Sequence, residues 1–174
     1  MKHASLVVAI VLMAGSLNAT SRDAAPRAAG ARLSAAPNAG AAAIGSAHTL
    51  SGGEPRTAAF AAVGLPDGSV SGEAQINVHA LNVAWHTRIE CLTVVGNRAF
   101  MGGTITESTN EAVVRTGTKS YFWVEDNGEE GGAAPDRISV AGVNETPEGL
   151  ADFCGLVQNL LPGRDVVHGN VQVR

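Results

Sequence analysis

From Thr57 onward, apolar and polar residues trade places with a period of two, the alternation of strands with one face in a core and the other in water. The clearest run is Val70 to Ala80, where Val70, Gly72, Ala74, Ile76, Val78 and Ala80 alternate with Ser71, Glu73, Gln75, Asn77 and His79. Val83, Trp85, Thr87, Ile89, Cys91, Thr93 and Val95 continue the pattern to Gly96-Asn97, a pair suited to a tight hairpin. An earlier strand, Thr57 to Val63 around Phe60, ends at the turn Gly64-Leu65-Pro66-Asp67-Gly68. Further strands are predicted over Ala99–Thr106, Glu111–Asp126 with a break near Gly117, Ile138–Val143 and Val166–Val173. Within Ala99–Thr106, Gly102-Gly103 predicts a bulge, a sharp coil or a close backbone approach. Thr146-Pro147-Glu148-Gly149 opens the single helical turn, Leu150 to Leu161. The pattern predicts an all-β fold, an antiparallel sandwich or partly closed barrel of about seven to eight strands. With no helices between strands, a parallel α/β fold is excluded.

The alternation is missing from the first part of the chain. Lys2 and His3 precede an unbroken apolar run, Leu6 to Ala14, and Leu17-Asn18-Ala19 offers a small residue for cleavage, so residues 1–19 are predicted to be a secretory signal peptide. The run is too short to span a bilayer. Residues 20–47 are Ala-, Gly- and Pro-rich with Leu33 and Ile44 as the large apolar residues, and are expected to form a disordered tether. A single β domain is then expected over residues 48–174. No transmembrane segment is expected after signal removal, and the protein is expected to be secreted or periplasmic.

Composition narrows the partners. Net charge is −4, and Lys and Arg form no cluster, so nucleic acid is not an expected partner. The tether is slightly basic and could touch an envelope polymer or an anionic surface, although a simple spacer is the favoured reading. In an oxidising compartment the sole cysteines, Cys91 and Cys154, are expected to form a disulfide, constraining the unfolded chain by roughly 4 kcal/mol. A metal or redox thiol is the competing reading, but neither cysteine has a CxxC partner.

Candidate chemistry concentrates in one stretch. The aromatic run Tyr121-Phe122-Trp123-Val124 leads into a loop in which Glu125, Asp126, Glu129, Glu130 and Asp136 crowd five carboxylates together. Ca²⁺ would offset their repulsion, with Asp126, Asn127, Glu129 and Asp136 as ligands, although the spacing does not fit the EF-hand loop. A solvated hairpin tip, its charges screened by salt or paired with Arg115, Lys119 or Arg137, is nevertheless the favoured reading. His86 with Glu90 and His79 with Glu73 share strand faces, but spacing supplies no third ligand for zinc. The sequence assigns no catalytic residue: there is no Gly-x-Ser-x-Gly elbow, and Ser71-Gly72 belongs to a strand.

Together, Cys91-Leu92-Thr93-Val94-Val95-Gly96-Asn97-Arg98-Ala99, Gly102-Gly103-Thr104-Ile105, Val124-Glu125-Asp126-Asn127-Gly128-Glu129 with Asp136, Cys154 and Gly169-Asn170-Val171-Gln172-Val173 form a recurring pattern. It resembles a group of small exported bacterial all-β proteins of uncharacterised function. The resemblance covers roughly residues 58–174 and implies export, an all-β fold and a disulfide, with no activity to carry over. The expected function is therefore a non-catalytic binding or structural β domain of the cell envelope. One alternative is a small barrel carrying an apolar ligand in a pocket above about 300 Å³ lined by Trp85, Ile89 and Phe122. Another is a hydrolase with paired carboxylates, disfavoured by the scarcity of aromatic sugar platforms.

Overall fold

A computed structural model of the chain describes residues 38–129, 133–156 and 161–174. Its strands are β1 (Ala42–Ser51), β2 (Glu54–Gly64), β3 (Val70–Val78), β4 (Val83–Val95), β5 (Arg98–Ser108), β6 (Lys119–Glu125), β7 (Arg137–Ser139), β8 (Gly142–Glu145), β9 (Gly163–Asp165) and β10 (His168–Val173). One α-helix, α1 (Pro147–Leu156), and a 3-10 turn, His79–Leu81, complete the elements among the described residues. All ten strands belong to one sheet in the order β10-β1-β2-β3-β4-β5-β6-β7-β9, with β8 also on β6. Every pairing is antiparallel. The two ends of that order, β9 and β10, are consecutive in sequence. At the corner between them Val166 N–H donates to the Asp136 carbonyl and Val167 N–H to the His48 carbonyl, each at 2.8 Å. The sheet is thus curled into a partly closed barrel.

The sequence predicts fewer strands for identifiable reasons. Residues 42–47, assigned to the tether, are instead the first six residues of β1, paired with β2 on one side and β10 on the other. Their lack of bulk suits the barrel wall: Ala43 and Ala47 are fully buried, and a Cβ on Gly45 would stand 3.1 Å from Phe60 Cζ. Small residues here make room for the Phe60 ring on the adjacent strand and, at Gly45, for the β10 backbone, where a Cβ would run into the Asn170 carbonyl oxygen. Conversely, Glu111–Thr118 is a turn rather than the start of a strand. Glu111 Oε2 accepts the Thr116 N–H at 2.8 Å, Asn110 Oδ1 accepts the Ala112 N–H at 3.2 Å, and Gly117 takes a φ of 84°. Such local side-chain acceptors compete with a strand ladder. Asn144 from β8 ties the turn down, accepting from Arg115 N–H at 2.8 Å and donating to the Val113 carbonyl at 2.9 Å. The predicted signal peptide, and residues 20–37 of the predicted tether, lie outside the described residues.

Other local expectations hold. Gly96-Asn97 is the two-residue β4–β5 hairpin turn, with Gly96 at a φ of 60°. Opposite Gly102 and Gly103 the β4 register slips, so that Ile89 faces Gly103, Cys91 faces Gly102, and Glu90 is the extra residue of a bulge. A Cβ on Gly102 would come within 2.6 Å of Leu150 Cδ1, so the glycine also admits the helix. That helix starts as its sequence dictates, with Thr146 Oγ1 accepting the Gly149 N–H at 3.1 Å and Pro147 in the first helical position.

Two hydrophobic cores result. Inside the barrel, Phe60, Ile89, Leu92, Met101, Ile105 and Phe122 are packed together, with the Phe60 and Phe122 rings edge to face at 5.8 Å. Outside it, α1 lays Leu150 and Phe153 on Phe100, Trp123 and Tyr121, where Phe153 stacks on Tyr121 at 4.3 Å. Burying those two helix side chains contributes about 1.5–3 kcal/mol each. Cys91 and Cys154 are disulfide-bonded with Cα atoms 6.3 Å apart, and Thr93 Oγ1 donates to the Cys154 carbonyl at 2.8 Å. The aromatic strand β6 therefore has a buried residue on both faces. Among the described residues no helix is long and apolar enough to cross a membrane.

Candidate functional site

The acidic loop is a hydrogen-bonded closure of the barrel. Asp126 Oδ1 accepts the Gly128 N–H at 2.9 Å while its Oδ2 accepts the Val173 N–H at 3.0 Å. Asp136 repeats the arrangement, taking the Asn127 N–H on Oδ1 at 2.8 Å and the Val171 N–H on Oδ2 at 2.9 Å. Val171 and Val173 are two apart on β10, and their N–H groups point away from β1. The two carboxylates thus stand where a neighbouring strand would place carbonyls, and they satisfy an otherwise open sheet edge. Asn127 donates to the Pro135 carbonyl at 2.7 Å and accepts from Asn97 at 3.1 Å; Glu129 accepts from Asn170 at 2.5 Å. Glu125 pairs with Arg98 at 2.7 Å. The four residues singled out as Ca²⁺ ligands are gathered in one loop, with their carboxylates turned largely onto protein donors. Among the described residues, no three His, Cys, Asp or Glu side chains come together as a metal-binding group.

Neither of the other pairings considered for metals gains a third His, Cys, Asp or Glu among the described residues. His79 lies in the 3-10 turn rather than on β3 with Glu73. Glu90 is engaged by Lys119 Nζ at 2.6 Å, Thr104 Oγ1 at 2.7 Å and Arg88 at 3.0 Å.

Open space borders the acidic loop itself, in a polar pocket of about 360 Å³ lined by Glu129, Asp136 and Asn170. A second, apolar space lies at the end of the barrel bounded by the 3-10 turn, the 110–118 turn and the β7–β8 connection. A cavity of about 200 Å³ is walled there by Ile76, Val78, Val83, Trp85 and Ile138, with Val114 entering from the turn. Leu81 and Val113 stand at its edge with 57% and 38% of their surface exposed, so the mouth is apolar as well. Of the three residues expected to line a ligand pocket, Trp85 does so; Ile89 and Phe122 belong to the filled interior.

Three nitrogen donors interrupt the apolar wall. Arg56 shares the inward phase of β2 with Ala58, Phe60 and Ala62, and its register neighbours Thr49 and Val78 are both buried. Arg164 is opposite Ile138, on the inner side of the β7–β9 pair. The Nε of each arginine and the indole Nε1 of Trp85 are shielded from solvent with no hydrogen-bond partner, and Trp85 as a whole is 4% exposed. Sequence reasoning missed both arginines. The Arg56 signal was present, a charge in step with the apolar face of a strand, whereas Arg164 lies in a three-residue strand without usable periodicity.

Fold and cavity define a small partly closed antiparallel β-barrel with one open, apolar end. Comparison with protein-family models, curated proteins and solved structures gives no match to this chain.

Proposed function

We propose that this protein is a non-catalytic, exported binding domain that takes a small, mainly apolar molecule into the open end of its barrel. The observation that carries the reading is the cavity of about 200 Å³ with an apolar wall and an apolar mouth. Among the described residues, its lining includes no carboxylate, imidazole or thiol, the groups on which acid–base and nucleophilic chemistry most often rests. The cavity is smaller than the roughly 300 Å³ at which drug-sized ligand pockets begin. The rest of the interior is occupied by Phe60, Phe122 and their neighbours. Both facts favour a single ring or short chain over a long lipid. The disulfide and the predicted signal segment support an extracytoplasmic setting.

Thermal unfolding in the presence of 2-phenylethanol, an uncharged molecule of suitable size, tests the proposal. The midpoint should rise with ligand concentration, as for any ligand that binds the folded state alone. Val83→Phe, which places a ring in the cavity, should abolish the rise. A midpoint insensitive to saturating 2-phenylethanol would overturn the reading.

A further inference from the structure

Resting on that binding reading, we infer that the natural occupant is an anion: a ring or short aliphatic chain carrying a carboxylate, its head held by Arg56 and Arg164 and its tail against Trp85. The inference starts from an imbalance. Among the described residues, the cavity lining contains two guanidinium groups and an indole N–H but no acidic residue. Among the described residues, the ion pairs are those of Arg88, Arg98, Lys119 and Arg137, and neither Arg56 nor Arg164 is within pairing distance of a carboxylate. Both place an Nε out of reach of solvent with no acceptor, as does Trp85 with its Nε1. A buried donor left without an acceptor costs about 1–3 kcal/mol, more when charged, so three at one cavity call for an acceptor-only partner.

A carboxylate fits best. It accepts on two oxygens, matches the planar fork of arginine, and is compact enough to leave room for an apolar tail in a cavity of about 200 Å³. The position also opposes the overall charge: the sequence from His48 onward has eight basic against fifteen acidic residues, yet this cavity has positive groups alone. Size limits the tail. A dry cavity of about 150 Å³ holds benzene, so one of about 200 Å³ accommodates a ring with one or two further carbons. Phenylacetate is therefore a suitable probe.

The test is calorimetric titration of the unaltered protein with phenylacetate, its neutral analogues phenylacetamide and 2-phenylethanol, and acetate. Phenylacetate should bind at least about tenfold more tightly than either neutral compound, the effect of one charge-assisted hydrogen bond. Acetate, which has the head without the tail, should give no measurable heat. Arg56→Met and Arg164→Met should each weaken phenylacetate about tenfold more than they weaken 2-phenylethanol, and a cooperative thermal transition of each variant establishes that it is folded. Equal affinity for phenylacetate and the neutral compounds would overturn the assignment of an anionic head and leave the apolar cavity standing. Binding of none of the three ring compounds would overturn both readings. Acetate binding as tight as phenylacetate would place the anion outside the cavity and likewise overturn the inference.

Discussion

Phe122 and Trp85 both point into the barrel and are 0% and 4% exposed, yet their surroundings differ. Around Phe122 the opposing wall supplies Phe60, and the interior closes without space. Around Trp85 the cavity wall includes the small side chains of Ala47 and Ala58, and a void remains. The filled half is also the half covered from outside by α1 and stapled by the disulfide. The hollow half is instead bounded by turns, with Leu81 and Val113 exposed at its edge. Stability and binding are thus divided along one barrel, with packing concentrated where no ligand goes.

The largest effects should come from breaking the filled half. Phe122→Ala should cost about 3–5 kcal/mol, because the well-packed ring of Phe60 and its neighbours cannot collapse into the gap. Ile76→Ala, at the cavity, should fall near the low end of the roughly 2–5 kcal/mol range for Ile→Ala, since part of its surroundings is already empty. Chemical denaturation of the two variants measures the contrast, and equal losses would dissolve the distinction between the halves.

Next comes the staple. Replacing Cys91 and Cys154 together by serine should cost about 2–5 kcal/mol, with a sequence separation of 63 residues placing the effect in the upper part of that range. Because α1 covers the outer face of β5 and β6 at the filled half, ligand binding at the other end should be unchanged in the double variant. A parallel loss of 2-phenylethanol affinity would show that the two ends are coupled.

Asp136→Asn addresses the closure between the acidic loop and β10. The carboxylate accepts a hydrogen bond on each oxygen, but an amide offers one acceptor and turns its NH₂ toward a donor, so about 1–3 kcal/mol should be lost. Amide exchange at Val171 should accelerate with it. A Ca²⁺ ion in this loop would have to draw the same carboxylates from their backbone donors. The hydrogen-bonded arrangement predicts neither heat nor a changed melting temperature at millimolar Ca²⁺, and calorimetry reads that directly.

How much of this was legible depends on where the information lies. The strands from Val70 to Thr106 could be read from alternation because their partners are adjacent in sequence and their inner faces carry large side chains. Residues 42–47 could not, because β1 is defined by the two strands flanking it, one of them at the far end of the chain. Its alanines and Gly45 resemble a linker until Phe60 is seen to need the space. The acidic loop was located correctly as a concentration of charge. That its aspartates substitute for strand carbonyls depends on Val171 and Val173, more than thirty residues away. Pairing of distant elements leaves little trace in local composition.

A smaller effect is set by pH. Glu90, the extra residue of the β4 bulge, is partly buried, which raises its pKa, but hydrogen bonds from Lys119, Thr104 and Arg88 outweigh that burial and hold it at about 2. A carboxylate depressed in the folded state contributes stability that is fully present above its ordinary value of 4.5 and is lost as pH falls toward 2. With the side chain 31% exposed, the contribution should be on the order of 1 kcal/mol after screening. Glu90→Gln should flatten the stability profile between those pH values; an unchanged profile would remove Glu90 from the account of acid unfolding.

The smallest effect is the sharpest test of the hollow half, because its sign differs between the two regions. Ala58 lies at the cavity wall, whereas Ala99 is 0% exposed within the filled interior. Ala99→Val adds two methyl groups where no space exists and should destabilise by about 1–3 kcal/mol. Ala58→Val places the same groups in the void, suits a strand better than alanine, and should stabilise by about 0.5–1 kcal/mol. The gain should come with weaker 2-phenylethanol binding, because the methyl groups occupy ligand volume. Stabilisation without loss of affinity would mean that the ligand sits elsewhere. Destabilisation by Ala58→Val would mean that the cavity is a space the barrel needs for its own packing.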